Sequence, residues 1–388
     1  MSYPLLPYSQ LVFDLLRTNP DVYWTCFCMR LDKKKVDVGR LKRAMEQAIR
    51  NHPVFFMRVD GSGQQRYEPR PDMLHGQYYS VDFVEDGQFV DVRVRKNRIL
   101  GDGRSDRLIM EDVMRAYCNL PLEHDDYLDY LQRVEQERQS PRYQRNRQWL
   151  ESEYGQLSCP VHPVTDVPVD MADMEEEGML TEDYSPMRSD LNRLGEERLV
   201  TLTAFFSLAS ALAMMEYNDC NEAALTWAYE GRERPEEQRI FGSLHRDIPF
   251  QIKNLKSEKI VPFKGKEIRN QKSDLIRQAR NQIRSGIAHS GYPFTLVCPH
   301  TDIWNYALNV LEQSSMQAKM ADVPFPFEVY ELEDAPHVAY SLMDVEIYNE
   351  ERLLVMYRYS ATHYKESSVR RFAALVRKYA GWLLEDEG

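Results

Sequence analysis

The apolar positions on either side of residue 100 predict a strand, a turn and a helix in succession. Residues 89–94 alternate between apolar and polar side chains, which is typical of a strand. Apolar residues recur at helical spacing over 106–117, so a helix is expected there. The turn between them, residues 95–105, is a usual place to present side chains into a cleft. We therefore expect the functional site of the chain to lie at this turn.

The turn contains an Asp-Gly pair. Gly101 and Gly103 are expected to allow tight backbone geometry on either side of Asp102. Ser105 or Asp106 can cap the helix that follows, because short polar side chains accept hydrogen bonds from the first helical amides. An Asp-Gly turn is common in proteins, so its meaning depends on the rest of the chain.

The same reading of the remaining sequence predicts helices and strands throughout. The helices are expected at 11–16, 38–50, 128–138, 141–154, 196–217, 265–288 and 367–384. The strands are expected at 22–31, 55–59, 65–67, 223–229, 244–252, 295–298, 304–310, 325–332, 338–347 and 353–359.

These elements predict an α/β fold in which helices pack against a mixed sheet twice. Residues 159–186 are rich in Pro, Asp, Glu and Met and lack periodicity, which favours a linker. We therefore predict an N-terminal domain at 1–160, a linker at 161–190 and a C-terminal domain at 191–388. A length of 388 residues agrees with two domains of ordinary size.

Composition narrows the function. The net charge of −12 argues against a general nucleic-acid binder, which needs a surplus of Lys and Arg. The six cysteines are scattered without zinc-site spacing, so reduced thiols and a cytoplasmic location are expected. The N-terminus carries no signal-peptide pattern. The uncharged run 199–215 contains Thr and Ser and is expected to be a buried helix rather than a membrane span. No metal or redox cofactor is expected from the spacings.

Several stretches resemble, in the same order, the sequence elements of nonribosomal peptide synthetase condensation domains. Asp102-Gly103 resembles the end of the active-site signature of that family, which reads His-His, three residues, Asp-Gly. Here Asn97 stands at the first histidine and Arg98 at the second. The other resembling stretches are Pro7-Tyr8-Ser9-Gln10, Arg50-Asn51-His52-Pro53, Tyr127-Leu128-Asp129-Tyr130, Phe241-Gly242-Ser243-Leu244 and residues 289–294.

The sequence also departs from the family pattern. Arg246 replaces the usual Asn of one element, Ser290 and Gly291 are substituted in another, and the last element of the family cannot be found. The resemblance implies two chloramphenicol-acetyltransferase-like subdomains in a V with a central tunnel. It also implies substrates presented on the phosphopantetheine arms of carrier proteins, with no cofactor bound by the domain itself.

The chemistry at the centre of such a site is expected to differ here. In the family, the second histidine positions or deprotonates the acceptor amine. Arg98 cannot act as a base, because a guanidinium stays protonated in proteins. It can donate hydrogen bonds to an oxyanion or to a carboxylate or phosphate, or it can simply pair with a nearby acid. Asn97 and Arg98 are therefore the candidate residues for catalysis.

The resemblance also implies a structural role for Asp102. In the family this Asp pairs with an arginine, and Arg232 matches that arginine in a Gly-Arg pair. We therefore predict an Asp102–Arg232 ion pair across the subdomain interface, with Gly103 part of the same turn. Three other histidines, His245, His289 and His300, lie on segments able to approach the cleft. For His289 a packing role in the core or at an interface is expected, and for His52 a capping or packing role at the end of its helix.

Two functions follow from these expectations. The preferred one is a binding module for carrier or partner proteins of a nonribosomal peptide type pathway, with amide formation lost or altered. The alternative is an active acyltransferase in which Arg98 stabilises charge, since proximity alone can supply on the order of 7–11 kcal/mol. A channel closed by Arg98, Arg104 or their acid partners favours the first. A free-standing protein and a domain of a longer synthetase are both expected possibilities.

Overall fold

The computed structural model describes residues 2–17, 19–21, 23–157, 159–169, 177–253, 266–298, 306–311, 328–330 and 341–385. The helices are α1 Pro7–Leu16, α2 Val38–Asn51, α3 Gly103–Tyr117, α4 Tyr127–Arg138, α5 Pro141–Tyr154, α6 Arg188–Arg198, α7 Leu202–Tyr217, α8 Lys266–His289 and α9 Glu366–Leu384. The strands are β1 Ser2–Pro4, β2 Trp24–Asp32, β3 Met57–Val59, β4 Gln64–Tyr67, β5 His75–Gly76, β6 Tyr79–Asp86, β7 Phe89–Asn97, β8 Glu177–Asp183, β9 Ala223–Tyr229, β10 Arg246–Ile252, β11 Tyr306–Leu311, β12 Glu328–Tyr330, β13 Met343–Asn349 and β14 Leu353–Ser360.

The chain forms two compact units. Unit 1 comprises Met1–Ser140, Glu230–His245 and Ser314–Pro336, and unit 2 comprises Pro141–Tyr229, Arg246–Gln313 and His337–Gly388. Segment 230–245, which connects β9 to β10, therefore belongs to unit 1. The predicted boundaries at 1–160, 161–190 and 191–388 stay a prediction.

Unit 1 is built on an antiparallel sheet in the order β12-β2-β7-β6-β5, with a smaller sheet β1-β4-β3. Strand β7 forms because its valines alternate, and Val90, Val92 and Val94 are buried on one face. Helices α2 and α3 pack against each other. The Asp37 side chain caps α2 by accepting from the Arg40 amide at 2.9 Å.

Unit 2 is built on a sheet in the order β10-β9-β11-β13-β14-β8. Strand β11 runs parallel to β9 and β13, and the other pairs are antiparallel. Helix α7 is buried over most of its length, from Ala204 to Met215, and it packs against α8 and α9. The mixed α/β class with two units is therefore confirmed.

Most predicted elements are present, and the main differences concern residues 196–217, 295–298 and 79–86. The helix predicted at 196–217 is two helices, because Leu199 adopts a left-handed backbone with φ of 54° and ends α6. The strand predicted at 295–298 was wrong at its start, because residues 294–296 form a 3-10 turn. Strand β6 was not predicted, although it pairs with β7 along its full length.

Part of the predicted linker has regular structure. Residues 177–183 form β8, which pairs with β14 at the edge of the unit 2 sheet. Within the residues described, no single helix is both long and apolar enough to cross a membrane; α6 and its preceding turn meet that criterion only together with α7, across a bend of 109°.

Candidate active site

Strand β7 delivers the residues of the turn in a fixed register. Asn97 pairs with Trp24 across the sheet, and its backbone amide donates to the Tyr78 carbonyl at 2.9 Å. The Asn97 side chain is fully buried, and its carbonyl oxygen accepts from the Ile99 amide at 3.0 Å. Asn97 therefore shapes the turn through a local side chain to backbone bond.

Arg98 follows at the end of the strand, with its backbone held on both sides. Its amide donates to the Tyr23 carbonyl at 2.9 Å, and its carbonyl accepts from the Ser243 hydroxyl at 2.6 Å. The residue is half-buried. Its positive charge contributes to the lowering of the pKa of His245, so the guanidinium lies within electrostatic reach of that imidazole.

Tyr23, whose carbonyl holds Arg98, has an unusual backbone. Its φ of 59° lies in the left-handed region, which is uncommon for a bulky aromatic residue. Its ring meets the Tyr8 ring edge-on at 6.3 Å between centroids. Strained residues of this kind cluster at functional sites, so Tyr23 adds weight to the turn as the candidate site.

Asp102 is the centre of the hydrogen bonding around the turn. Its Oδ1 accepts from the Ser105 amide at 3.1 Å and the Ser105 hydroxyl at 3.0 Å, and Asp102 is thus the N-cap of α3. The prediction that Ser105 or Asp106 caps the helix was wrong, because the capping residue, Asp102, comes three residues before Ser105. The capping carboxylate lies before the helix because its own backbone is extended, as an N-cap requires.

Arg232 forms the predicted ion pair with Asp102. Its Nη1 lies 2.9 Å from Asp102 Oδ2, and its Nη2 lies 3.0 Å from Oδ1, a bidentate arrangement. The Arg232 side chain is 0% exposed and that of Asp102 7%. Burial alone would raise the pKa of Asp102, but the guanidinium outweighs burial and holds that pKa at about 2. Both residues lie in unit 1, since segment 230–245 packs there, so the pair forms within one unit and the predicted position across a subdomain interface was wrong.

Segment 230–245 also braces the turn through its backbone. The amides of Leu244 and His245 donate to Asp102 Oδ2 at 3.0 and 3.3 Å. The Gly242 carbonyl accepts from the Ser105 hydroxyl at 3.0 Å and from Arg232 Nη2 at 3.2 Å. The sequence element around Gly242 is thus joined directly to the Asp-Gly turn.

The two glycines of the turn differ. A Cβ at Gly101 would lie 2.7 Å from the Phe241 ring and 2.7 Å from Ser105 Cβ, so close packing requires glycine there. A Cβ at Gly103 meets no described atom within 4 Å, and φ is not positive. The expected tight geometry therefore applies to Gly101 and not to Gly103.

A buried lysine at this turn was missed by the sequence analysis. The Lys96 ammonium is almost fully buried, donates to the Gly101 carbonyl at 3.0 Å and lies 2.9 Å from Asp106 Oδ1. Burial raises the pKa of Asp106, against the charges of Lys96 and Arg98, which lower it. The signal was present: Lys96 continues the inward-facing positions of Val90, Val92 and Val94.

His245 is the histidine placed beside this site. Its ring meets the Tyr8 ring edge-on, with centroids 3.8 Å apart. Burial lowers its pKa to about 4; Asp102 acts in the opposite direction, and Arg98 and Arg232 act with burial. The imidazole is consequently neutral at neutral pH.

The other candidate histidines have structural partners. His52 ends α2, is fully buried, and lies 2.7 Å from Asp125 and 3.3 Å from Asp112. Burial lowers its pKa, but hydrogen bonding to the carboxylates of Asp112 and Asp125 and their negative charges outweigh burial and raise it. In unit 2, His289 stacks on Trp149 at 4.4 Å and contacts Asn146 Oδ1 at 3.1 Å. His300 lies outside the described residues.

The remaining elements of the resemblance also take part in packing. Tyr127 is buried at the start of α4 and donates to Gln65 at 3.2 Å. In unit 2, Arg246 donates to the Ser290 hydroxyl at 2.9 Å, so two residues that depart from the family pattern contact each other. Arg104 lies 3.8 Å from Glu230 in unit 1. In the part of the chain that the structure describes, no group of three His, Cys, Asp or Glu residues is placed to hold a metal ion.

The chain is similar to a known protein family in sequence and to several solved structures in fold. The family model described as "Condensation domain" matches residues 99–380. No curated protein matches the chain. Among solved structures, the condensation domain from Monacolin K polyketide synthase MokA is similar with a TM-score of 0.76 at 13% identity, covering 99% of this chain and 98% of that one.

Further solved structures share this fold. The epimerization domain from the third module of tyrocidine synthetase B has a TM-score of 0.75 at 16% identity, covering 99% of this chain and 98% of that one. The EpoB cyclization-docking bidomain from Sorangium cellulosum has a TM-score of 0.73 at 16% identity, covering 100% and 85%. A variant of the starter condensation domain of rhizomide synthetase RzmA in complex with C8-CoA has a TM-score of 0.72 at 13% identity, covering 98% and 95%.

Proposed function

The chain belongs to the condensation-domain family, and from that membership we propose that it is an acyltransferase of the condensation type. The acyl group moves from a phosphopantetheine thioester to an amine or hydroxyl acceptor, and Arg98 stabilises the charge that develops. The carrier proteins of a nonribosomal peptide type pathway are the partners in this reaction.

The observation that carries the proposal is that the backbone of Arg98 is held firmly on both sides. Its backbone amide and carbonyl are both bonded, to Tyr23 and Ser243. The segment behind Ser243 is in turn fixed to Asp102 by the Leu244 amide and the Arg232 guanidinium. These bonds fix the point from which the Arg98 side chain extends before the substrate arrives, and a fixed point of attachment favours the preorganised donor that electrostatic stabilisation requires.

Arg98 has a limited but useful chemistry. Attack on a thioester carbonyl places negative charge on the oxygen of the tetrahedral intermediate. A guanidinium can donate to that oxygen, and one such donor is worth about 10²–10³ in rate. Alignment of donor and acceptor contributes through proximity. Arg98 cannot remove a proton from the acceptor, because it stays charged.

A second candidate function is a binding module for carrier or partner proteins without acyl transfer, the function that the sequence favoured. One observation supports it: both positions of the missing histidines are occupied by residues that cannot act as bases. Asn97 is buried and bonded within the turn. Arg98 stands in the field of the Asp106 carboxylate, whose pKa its charge lowers. Acyl transfer is the first candidate because the backbone of Arg98 is held on both sides, by Tyr23 and Ser243.

An acyl-transfer assay read by intact mass distinguishes these functions. The substrates are acyl-loaded carrier proteins encoded beside this protein, and wild type is compared with Arg98→Ala and Arg98→Lys. We expect turnover by wild type, a fall of about 10²–10³-fold for Arg98→Ala, and an intermediate rate for Arg98→Lys, which keeps one charged donor.

Arg95→Ala is the matched control. Arg95 is an exposed arginine of the same strand, and its guanidinium stacks over Trp24 at 4.4 Å. Its loss is expected to leave turnover unchanged. Absence of turnover by wild type, with calorimetric binding of the loaded carrier that survives Arg98→Ala, would overturn acyl transfer in favour of the binding module.

A further inference from the structure

His245 is held at the candidate site by two independent contacts. Its backbone amide donates to Asp102 Oδ2 at 3.3 Å, which ties it to the Asp-Gly turn. Its ring packs edge-on against Tyr8, in helix α1, at 3.8 Å between centroids. The imidazole therefore has a defined place beside the turn that carries Arg98, and all of these residues lie in unit 1.

The Nδ1 atom of His245 has no use within the fold. It is buried, and within the described residues it has no hydrogen-bond partner. An orphaned buried polar atom destabilises a fold and calls for an explanation. The two fully buried histidines of the described chain form a hydrogen bond through this atom: His52 Nδ1 bonds with Asp125 at 2.7 Å, and His363 Nδ1 bonds with Ser360 Oγ at 2.8 Å.

Burial, with help from two nearby cations, lowers the pKa of His245 and keeps its imidazole unprotonated before reaction. The groups facing it are Asp102 and Arg232, together with Arg98 on the turn, and burial adds to the two cations in lowering its pKa. A proton acceptor must be neutral when the acceptor substrate arrives. An oxyanion beside Arg98 offsets one of the two positive charges, so the basicity of the imidazole rises as the intermediate forms.

We propose that the His245 imidazole accepts the proton of the attacking amine or hydroxyl, the task that Arg98 cannot perform. This inference rests on the acyl transfer proposed above. It gives the site two separate parts, the Arg98 guanidinium for the oxyanion and a neutral imidazole for the proton.

The step balances with the two substrates alone. The lone pair of the acceptor nitrogen or oxygen forms a bond to the thioester carbonyl carbon, and the carbonyl π electrons move to oxygen beside Arg98. The acceptor proton passes to the His245 imidazole. When the carbonyl re-forms, the C–S bond breaks with its electron pair on sulfur, and the imidazolium returns the proton to give the thiol. The products are the acylated acceptor and the free thiol of the carrier.

The test compares single-turnover rates of wild type, His245→Gln and His245→Ala with the acyl-loaded carrier and its acceptor, with and without added imidazole. We expect both substitutions to lower the rate by about 10²-fold or more. Free imidazole is expected to restore part of the rate of His245→Ala and none of the rate of His245→Gln, whose side chain fills the space. A merely structural histidine would not show this rescue.

His289→Gln is the control for loss of a histidine elsewhere, and carrier binding by each variant checks that it folds. Full activity of His245→Gln, or a loss that imidazole does not restore in His245→Ala, would overturn the role of His245 while leaving acyl transfer intact. Wild type that shows no turnover would overturn both. The wild-type pH profile with a hydroxyl acceptor, which does not titrate in this range, gives a further readout. The rate is expected to fall to about half by pH 4 as the imidazole is protonated, and a flat profile from pH 7 to pH 4 contradicts the proposal.

Discussion

At the scale of single residues, the carboxylate of Asp102 connects parts of the chain that are far apart in sequence. It accepts from Ser105 in its own turn and from Arg232, Leu244 and His245. Its low pKa, about 2, records how strongly those donors favour the charged form. Removing the charge therefore affects every contact at once.

Replacement of this carboxylate is expected to destabilise the protein strongly. Asp102→Asn leaves the buried guanidinium of Arg232 without its counter-charge, and breaking such a pair costs about 3–5 kcal/mol. Urea unfolding at pH 7 measures the loss, with the exposed Asp86→Asn as the control for an amide in place of a carboxylate. A change below 1 kcal/mol for Asp102→Asn would show that the pair contributes little. In the wild type, the stabilisation that the charged Asp102 carboxylate gives the fold is also lost as pH falls from about 4 towards 2, because the folded carboxyl is then protonated.

His52 contributes to the stability of the fold with the opposite pH dependence from Asp102: its contribution is lost as pH rises. Its pKa is raised in the fold, because hydrogen bonds to Asp112 and Asp125 outweigh burial. Its stabilisation is therefore fully present below the ordinary histidine pKa of about 6.5 and is lost as pH rises through the higher folded value. His52→Gln is expected to cost on the order of 3 kcal/mol at pH 6 and less at higher pH. Unfolding curves at pH 6, 7, 8 and 9 test this, and a difference that grows with pH would contradict it.

The residues of the site were predictable to different degrees. Asp102 and Arg232 were paired in advance because the resemblance supplied two short motifs that match. Lys96 and its contact with Asp106 were missed, because the alternation of 89–94 was not extended two residues further. The neighbours of His245 were beyond the sequence, since Tyr8 and Asp102 reach it through tertiary packing.

At the scale of elements, periodicity located long segments well and short or strained ones poorly. The bounds of α5 and β9 agree with the prediction at every residue. The break between α6 and α7 was missed, because a left-handed leucine carries no sequence signal of the kind that glycine gives. Strand β6 alternates apolar and polar residues only over its first half, and from Val84 to Asp86 it is exposed and ends in two acids, so the pattern was not recognised as a strand.

The packing of α8 on β10 in unit 2 gives a test at this scale. Gly286 lies within α8, and a Cβ there would come 2.4 Å from Ile248 Cγ2, a buried strand residue. Gly286→Ala gains about 1 kcal/mol in helix propensity but overpacks this contact, which costs about 1–3 kcal/mol. We expect the overpacking to dominate, with net destabilisation of about 1 kcal/mol in urea unfolding.

The comparison variant for that test is Gly103→Ala. A Cβ at Gly103 meets no described atom within 4 Å, and the residue is the first of α3. Its stability is expected to stay within about 0.5 kcal/mol of wild type. Stabilisation by Gly286→Ala would mean that the helix moves away from the strand at little cost.

At the scale of the whole molecule, the sequence predicted the α/β class and the presence of two compact units. Which segments of the chain form each unit became known only from the structure. Segment 230–245 lies between two strands of unit 2 and yet packs in unit 1, through Arg232 and Gly242. Strand β12 likewise joins the sheet of unit 1 beside β2. Such exchanges come from long-range pairing, which local spacing of apolar residues cannot reveal.

The pH dependence of the whole fold carries a further consequence of the buried imidazole. The unfolded chain protonates His245 below its ordinary pKa of about 6.5, but the folded chain protonates it only near 4. Between these values the unfolded state binds more protons, so falling pH favours unfolding, by an amount that reaches on the order of 3 kcal/mol at pH 4.

His245→Gln removes this contribution and is expected to gain stability relative to wild type as pH falls from 7 to 4. Urea unfolding across that range measures the difference, with His124→Gln as the baseline for an exposed histidine. A constant difference between His245→Gln and wild type would mean that the folded chain protonates His245 as readily as the unfolded chain does, and the imidazole would then not be held neutral by Arg98, Arg232 and burial.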